Sequence, residues 1–203
     1  MLRLYDSRLS GNAWKVRILL TQLGIPFERV TLDLAKGATA DPAFRAKSRF
    51  ARVPVLELED GRTLVESAAI MLYLAEGSPL LPNDRYLRAE VTAWLTFEQA
   101  DLLRALALPR FYHMRGIADQ MASRIADFQE GAYLALAKVD DWLARHQWLV
   151  DNRYSIADIG MYGYVSMASQ GGYDMARFPS IGAWLARVKA QPGWVPLVEE
   201  AST

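Results

Sequence analysis

Val53-Pro54-Val55-Leu56-Glu57-Leu58-Glu59-Asp60-Gly61-Arg62-Thr63-Leu64-Val65-Glu66-Ser67 is the stretch on which the fold turns. Two short β-prone runs, Val55 to Leu58 and Thr63 to Val65, flank an Asp-Gly pair, a strong local signal for a hairpin. The proline at the strand entrance removes one ladder donor, which leaves the backbone of Val53 to pair with something outside the sheet. Glu66-Ser67 opens an apolar helical run through Glu76, and a helix N-terminus presents N–H groups suited to an anion. Together these features describe a backbone cradle for a small, extended, carboxylate-bearing ligand such as a peptide.

Working outward, the N-terminal side alternates strand and helix. Leu2 and Leu4 mark a short strand. After Ser10-Gly11-Asn12, Val16, Leu19, Leu20 and Leu23 recur at helical spacing. Gly24 and Pro26 end that helix. Phe27 to Leu32 forms a second strand, and Asp41-Pro42 caps a short helix through Lys47. The order is βαβ, a helix, then ββα. The turn formers from Gly77 to Asp84 set the boundary: residues 1–77 form an α/β domain, 78–85 a linker, and 86–203 an all-helical domain. Its helices are expected over Tyr86 to Leu108, Asp119 to Arg145, from Ser155, and over Ser180 to Ala190, with a break at Pro109.

Composition narrows the class. Of 203 residues 52% are apolar, and 23 basic side chains balance 23 acidic ones. That neutrality argues against a nucleic-acid binder, which carries a basic face. With no cysteine, the chain has no disulfide, thiolate metal site or cysteine nucleophile of its own. The start, Met1-Leu2-Arg3-Leu4-Tyr5, lacks the apolar core of a signal peptide, and no run reaches membrane-span length. A cytoplasmic location without membrane partners is the expectation. His113 and His146 lack neighbours that would make a catalytic triad or a metal site.

Ser10-Gly11-Asn12, between the first strand and first helix, supports two readings. Ser and Asn satisfy orphan N–H groups as N-caps. Alternatively, the Ser10 hydroxyl meets a ligand at the helix N-terminus. A thiol held there would lose its proton more easily, because the hydroxyl donates to the thiolate and the helix dipole favours negative charge. A fall in pKa from about 8.5 to about 6.5 corresponds to about 2.7 kcal/mol.

At this point the chain resembles the cytosolic glutathione transferases, in particular their bacterial serine-type members. The resemblance is carried by Ser10-Gly11-Asn12-Ala13-Trp14-Lys15-Val16-Arg17, Val53-Pro54-Val55-Leu56, Asp60-Gly61, Leu64 to Ile70 and Leu72-Tyr73-Leu74. In the helical part it is carried by Ser155-Ile156-Ala157-Asp158-Ile159 and the segment from Pro179 to Val188. It implies a thioredoxin-like first domain with Pro54 in cis. It implies that glutathione serves as co-substrate with no other cofactor, its cysteinyl backbone at Val53 and its γ-glutamyl carboxylate at Glu66-Ser67. The thiol then lies near Ser10, and in some bacterial relatives near Asn12. A homodimer is implied, with Glu98-Gln99-Ala100-Asp101 near the place where family dimers often meet.

The chain departs from the family at Ser48-Arg49-Phe50-Ala51, where Asn-Pro-x-Gly is frequent. Lys36, Arg49 and Arg52 are candidates, by charge, for the glycine carboxylate of glutathione; each is otherwise a solvated surface cation. Phe111, Tyr112 and Arg115, after the expected break at Pro109, are read either as core and surface at a kink or as a wall of the electrophile pocket. Ser155-Ile156-Ala157-Asp158 has the form of a capping box and belongs to stability. The implied activity is attack of the glutathione thiolate on a small hydrophobic electrophile. Glutathione-dependent reduction of a disulfide or peroxide, and a non-enzymatic binding or regulatory role on the same fold, are the alternatives.

Overall fold

The structure, a computed structural model, describes residues 1–198; the expectation for 199–203 lies outside the described residues. Two compact units divide the chain. Among the described residues, one comprises 1–81 together with 191–198, and the other comprises Pro82–Ala190.

In the first unit, β1 (Leu2–Asp6), α1 (Gly11–Gln22) and β2 (Phe27–Thr31) make a parallel βαβ turn, followed by α2 (Pro42–Lys47). The hairpin β3 (Val55–Glu57) and β4 (Thr63–Val65) then leads into α3 (Ser67–Leu74). The sheet order is β2-β1-β3-β4, with β3 antiparallel to both neighbours. The Asp-Gly signal resolves into a three-residue loop, Glu59-Asp60-Gly61, closed by Leu58 and Arg62. Gly61 takes φ +83° there, a conformation glycine adopts without a Cβ penalty. Leu4, Val16, Leu19, Leu20, Leu56 and Ile70 are fully buried; they come from the alternating positions of the strands and the apolar runs of the helices.

The expected domain boundary needs one correction. Residues 191–198 belong with the first unit rather than with the helices. Trp14 Nε1 on α1 donates to Val195 O at 2.8 Å, and its ring meets Trp194 edge-on at 6.2 Å. The Arg17 guanidinium donates to the carbonyls of Pro196 and Leu197. The same buried arginine places Nε 3.0 Å from Asp6 Oδ2, an ion pair by distance although not aligned as a hydrogen bond, and Arg29 joins that carboxylate at 2.7 Å. Nothing in the local pattern of the last residues signals this attachment; it depends on which side chains α1 presents.

The second unit contains α4 (Arg85–Phe97), a π turn (Glu98–Leu102), α5 (Leu103–Met114), α6 (Ala122–Leu143), α7 (Ile156–Val165) and α8 (Pro179–Lys189). Its buried residues include Val91, Leu95, Leu106, Leu136, Val139, Ile159, Ile181 and Trp184. The expected break at Pro109 is corrected: α5 runs through it, and the irregularity lies upstream at the π turn. Proline deprives the carbonyl four residues back of its donor. Here that carbonyl is Ala105 O, and the buried Tyr173 hydroxyl donates to it at 2.6 Å. Gly171 makes the approach feasible, since a Cβ at that position would lie 3.1 Å from Arg110 N. Tyr173→Phe should therefore leave a buried carbonyl unsatisfied and lower stability by about 1–3 kcal/mol in denaturant titration.

Candidate functional site

Strand register determines where the site residues fall. Tyr5 on β1 pairs with Val55 on β3, and Val55 pairs with Val65 on β4. These three residues form one row near one end of the sheet. The turn to Ser10 leaves β1 beyond that row, Val53-Pro54 arrives just before it, and Glu66-Ser67 leaves just after it. The sheet thus brings the start of α1, the Val53-Pro54 bond and the start of α3 to a single end. Val53-Pro54 is cis.

At the first of these sites, Ser10 is the N-cap of α1: its Oγ accepts from Ala13 N at 3.2 Å. The capping reading therefore holds, and the other does not conflict with it. A hydroxyl that accepts through a lone pair still has its own proton to donate. Asn12, in the first turn, accepts through Oδ1 from the Lys15 ammonium at 2.9 Å. An ammonium has no acceptor, so this contact identifies the amide oxygen and leaves the Asn12 NH2 group on the other edge.

At the third site Glu66 is exposed and has φ +70°, the left-handed region that costs a non-glycine residue roughly 1–3 kcal/mol. As N-cap of α3 it makes no side-chain bond to the helix. The first-turn N–H groups, which the helix itself cannot satisfy, therefore receive no cap from its carboxylate. Ser67, 2% exposed, is the first residue of the helix. An exposed acidic side chain beside uncapped N–H groups suits a ligand with both an ammonium and a carboxylate.

The loop preceding Val53 is closed by a residue that the sequence reading passed over. Buried Ser48 donates through Oγ to Arg52 O at 2.9 Å and accepts from Arg52 N at 3.1 Å. Ala51, where the family often has glycine, takes φ +51°. Ala51→Gly should remove that strain and raise the unfolding free energy by up to about 1 kcal/mol, offset in part by the entropy glycine gains on unfolding. The three candidate cations are all exposed. Arg49 lies over the Phe50 ring at 5.1 Å, Lys36 sits 3.7 Å from Asp33, and Arg52 contributes its backbone to the Ser48 clasp. Arg49 and Arg52 lie in the loop that leads into the site. Lys36 follows β2 by several residues.

In the helical unit, Phe111, Tyr112 and Arg115 lie within α5 rather than after a break, and the helix separates them. Phe111 is 49% exposed with the Arg115 guanidinium 6.0 Å from its ring, whereas Tyr112 is 8% exposed. Tyr112 is accordingly the core residue of the three, and Phe111 and Arg115 lie at the surface. Asp158 carries the most connected polar cluster of this unit. Its carboxylate accepts from Leu149 N at 3.2 Å, Ser155 N at 3.0 Å and Trp184 Nε1 at 2.9 Å, while Ser155 Oγ accepts from Ala157 N. The capping box is present, and it extends to Trp184 on α8. Among the described residues, no group of three or more His, Asp or Glu is placed to hold a metal, and no helix is long and apolar enough to cross a membrane.

Comparison with known proteins places both units. Residues 4–82 match the family model "Glutathione S-transferase, N-terminal domain", and residues 101–192 match "Glutathione S-transferase, C-terminal domain". A glutathione S-transferase from Pseudomonas fluorescens [Pf-5] superposes with a TM-score of 0.95 at 38% identity, covering 98% of this chain and 99% of that one. Glutathione S-transferase 3 of Zea mays is 30% identical over 95% of this chain and 91% of its own length. Disulfide-bond oxidoreductase YfcG of Escherichia coli (strain K12) is 28% identical over 89% of this chain and 87% of its own. With both domains matched in order and full-length relatives at this identity, the chain belongs to the glutathione S-transferase family and is a glutathione transferase.

Proposed function

We propose that glutathione lies along the shared end of the sheet, with its cysteinyl backbone on Val53 beside Pro54 and its γ-glutamyl carboxylate on the N–H groups at Glu66-Ser67. The Ser10 hydroxyl and the Asn12 NH2 group receive the thiol and stabilise its thiolate. The observation that carries this reading is the convergence of the Ser10–Asn12 turn, Val53-Pro54 and the uncapped start of α3 at one end of the sheet. The exposed Glu66 carboxylate supplies a partner for the γ-glutamyl ammonium, and Arg49 or Arg52 for the glycine carboxylate. In the reaction the thiol proton passes to water and the thiolate attacks a small hydrophobic electrophile. The carbon–sulfur bond forms as the leaving group departs with its electron pair. The protein is read as a serine-type enzyme of the bacterial kind, acting as a homodimer in the cytoplasm, with detoxification as its role.

The match to a disulfide-bond oxidoreductase, together with Asn12 presenting its NH2 edge, favours a second reading. The thiolate would attack a disulfide sulfur, releasing one thiol and leaving a mixed disulfide. A second glutathione would resolve it, so a chain without cysteine suffices. Assaying an aromatic halide beside a model disulfide separates the readings. Conjugation should dominate if the first is correct, and turnover of the disulfide alone would replace it with the second. Failure of calorimetry to detect glutathione binding would remove both and leave a non-enzymatic role.

A further inference from the structure

We propose that Lys15 is a positioning residue that promotes ionisation of the bound thiol by acting through Asn12. This rests on the glutathione reading above. Lys15 has no solvent exposure, although a lysine stem can usually carry its ammonium to water and burial of a charge is costly. Its ammonium lies 2.9 Å from Asn12 Oδ1, three residues back along α1. The contact has three effects on Asn12. It fixes the amide orientation, because only the oxygen can meet a donor. It polarises the amide, which makes the NH2 group a stronger donor to an anion. It also keeps a positive charge two contacts from the sulfur, where it favours thiolate over thiol. Charged groups also set against this part of α1 include Arg17, Arg29 and Asp6, whose carboxylate is shared by the two arginines. The step itself is a simple ionisation: the proton leaves to water, the electron pair stays on sulfur, and nothing is oxidised.

The test measures Lys15→Met and Lys15→Arg against the unaltered protein in two ways. Calorimetry with S-methylglutathione, whose sulfur cannot ionise, reports the binding site. The ultraviolet absorbance of the thiolate against pH reports the ionisation of bound glutathione. Lys15→Met should bind S-methylglutathione within about threefold of the unaltered protein, while the ionisation constant of bound glutathione falls about tenfold, one pKa step. Lys15→Arg should recover part of that loss. Adding Lys15→Met to Asn12→Ala should cost little more than Asn12→Ala alone, because the two act as one unit. An unchanged ionisation constant in a folded Lys15→Met that binds S-methylglutathione overturns the proposal. If the unaltered protein does not bind S-methylglutathione, the glutathione reading itself fails. Should Lys15→Met not fold, the side-chain amide nitrogen resonance of Asn12 in the unaltered protein serves instead. It must shift when ionised glutathione replaces S-methylglutathione, and no shift overturns the proposal.

Discussion

Ser10→Ala should lower kcat/KM for conjugation at pH 7 by about 20-fold, with glutathione affinity retained within a few fold. The expected mechanism is a return of the bound thiol from a pKa of about 6.5 towards the free value of about 8.5, worth about 2.7 kcal/mol. Such a change leaves a signature in the pH profile. The loss should deepen below pH 6 and shrink as pH rises through about 8.5, where both proteins hold thiolate. A loss independent of pH would indicate misplacement of the thiol rather than weaker ionisation. Because Ser10 also caps α1 through Ala13 N, the alanine variant should lose about 1 kcal/mol of stability as well. Ser10→Gly separates the effects: glycine at an N-cap costs only a few tenths of a kcal/mol, yet it lacks the hydroxyl and should be as impaired in turnover. Full activity in Ser10→Gly would transfer thiol activation to Asn12 or a backbone amide.

The largest effect on stability is expected at Asp158. Asp158→Ala removes the acceptor of Leu149 N–H, Ser155 N–H and the Trp184 indole N–H at once. A buried donor left unsatisfied costs about 1–3 kcal/mol, so three of them should cost at least about 3 kcal/mol, a large share of the stability of an ordinary domain. Denaturant titration followed by circular dichroism should show the midpoint falling sharply. Ser155→Ala, which loses one cap, should cost only about 1 kcal/mol. Asp158 should also leave its own trace in the pH dependence. Burial pushes its carboxyl from 3.8 up to about 6, although the hydrogen bonds from Trp184, Leu149 and Ser155 oppose the rise. The folded state therefore favours the protonated acid. The contribution is fully present below about pH 4 and is lost as pH rises through about 6, amounting to about 3 kcal/mol in all. Carbon NMR of the Asp158 carboxyl should show a midpoint near 6; a midpoint near 4 would contradict this account of its burial.

Much of the fold could be read from local signals. Ser10, Asp41 and Ser155 before apolar runs marked helix starts, and Asp60-Gly61 marked the hairpin, because caps and turns depend on a few adjacent residues. Pro109 was misleading for the opposite reason. Whether a proline ends a helix depends on what replaces the missing donor, and that group, Tyr173, is 68 residues along the chain from the Ala105 carbonyl it meets. The attachment of residues 191–198 to α1 is similarly non-local, with Trp14 reaching a carbonyl 181 residues on.

The site divides along the same line. Ser10, Asn12, Val53, Pro54, Glu66 and Ser67 could be singled out because each sits at an element boundary, where backbone groups lack internal partners. Their convergence then follows from the register of three strands. Lys15 and Ser48 stood in quoted stretches without a role of their own, because the inward turn of their side chains is not a local signal. A lysine and a serine read by type alone default to the surface. Which of Phe111, Tyr112 and Arg115 is core was open for a related reason: with the helix expected to end at Pro109, nothing fixed the phase that sends Tyr112 inward and Phe111 out.

A crystal structure with glutathione bound tests the central claim most directly. The account predicts the sulfur within hydrogen-bonding distance of Ser10 Oγ or Asn12 Nδ2, the cysteinyl backbone paired with Val53, and the γ-glutamyl carboxylate on the N–H groups at Glu66-Ser67. A tripeptide lying elsewhere, or at this end of the sheet with its sulfur away from both Ser10 and Asn12, would contradict it.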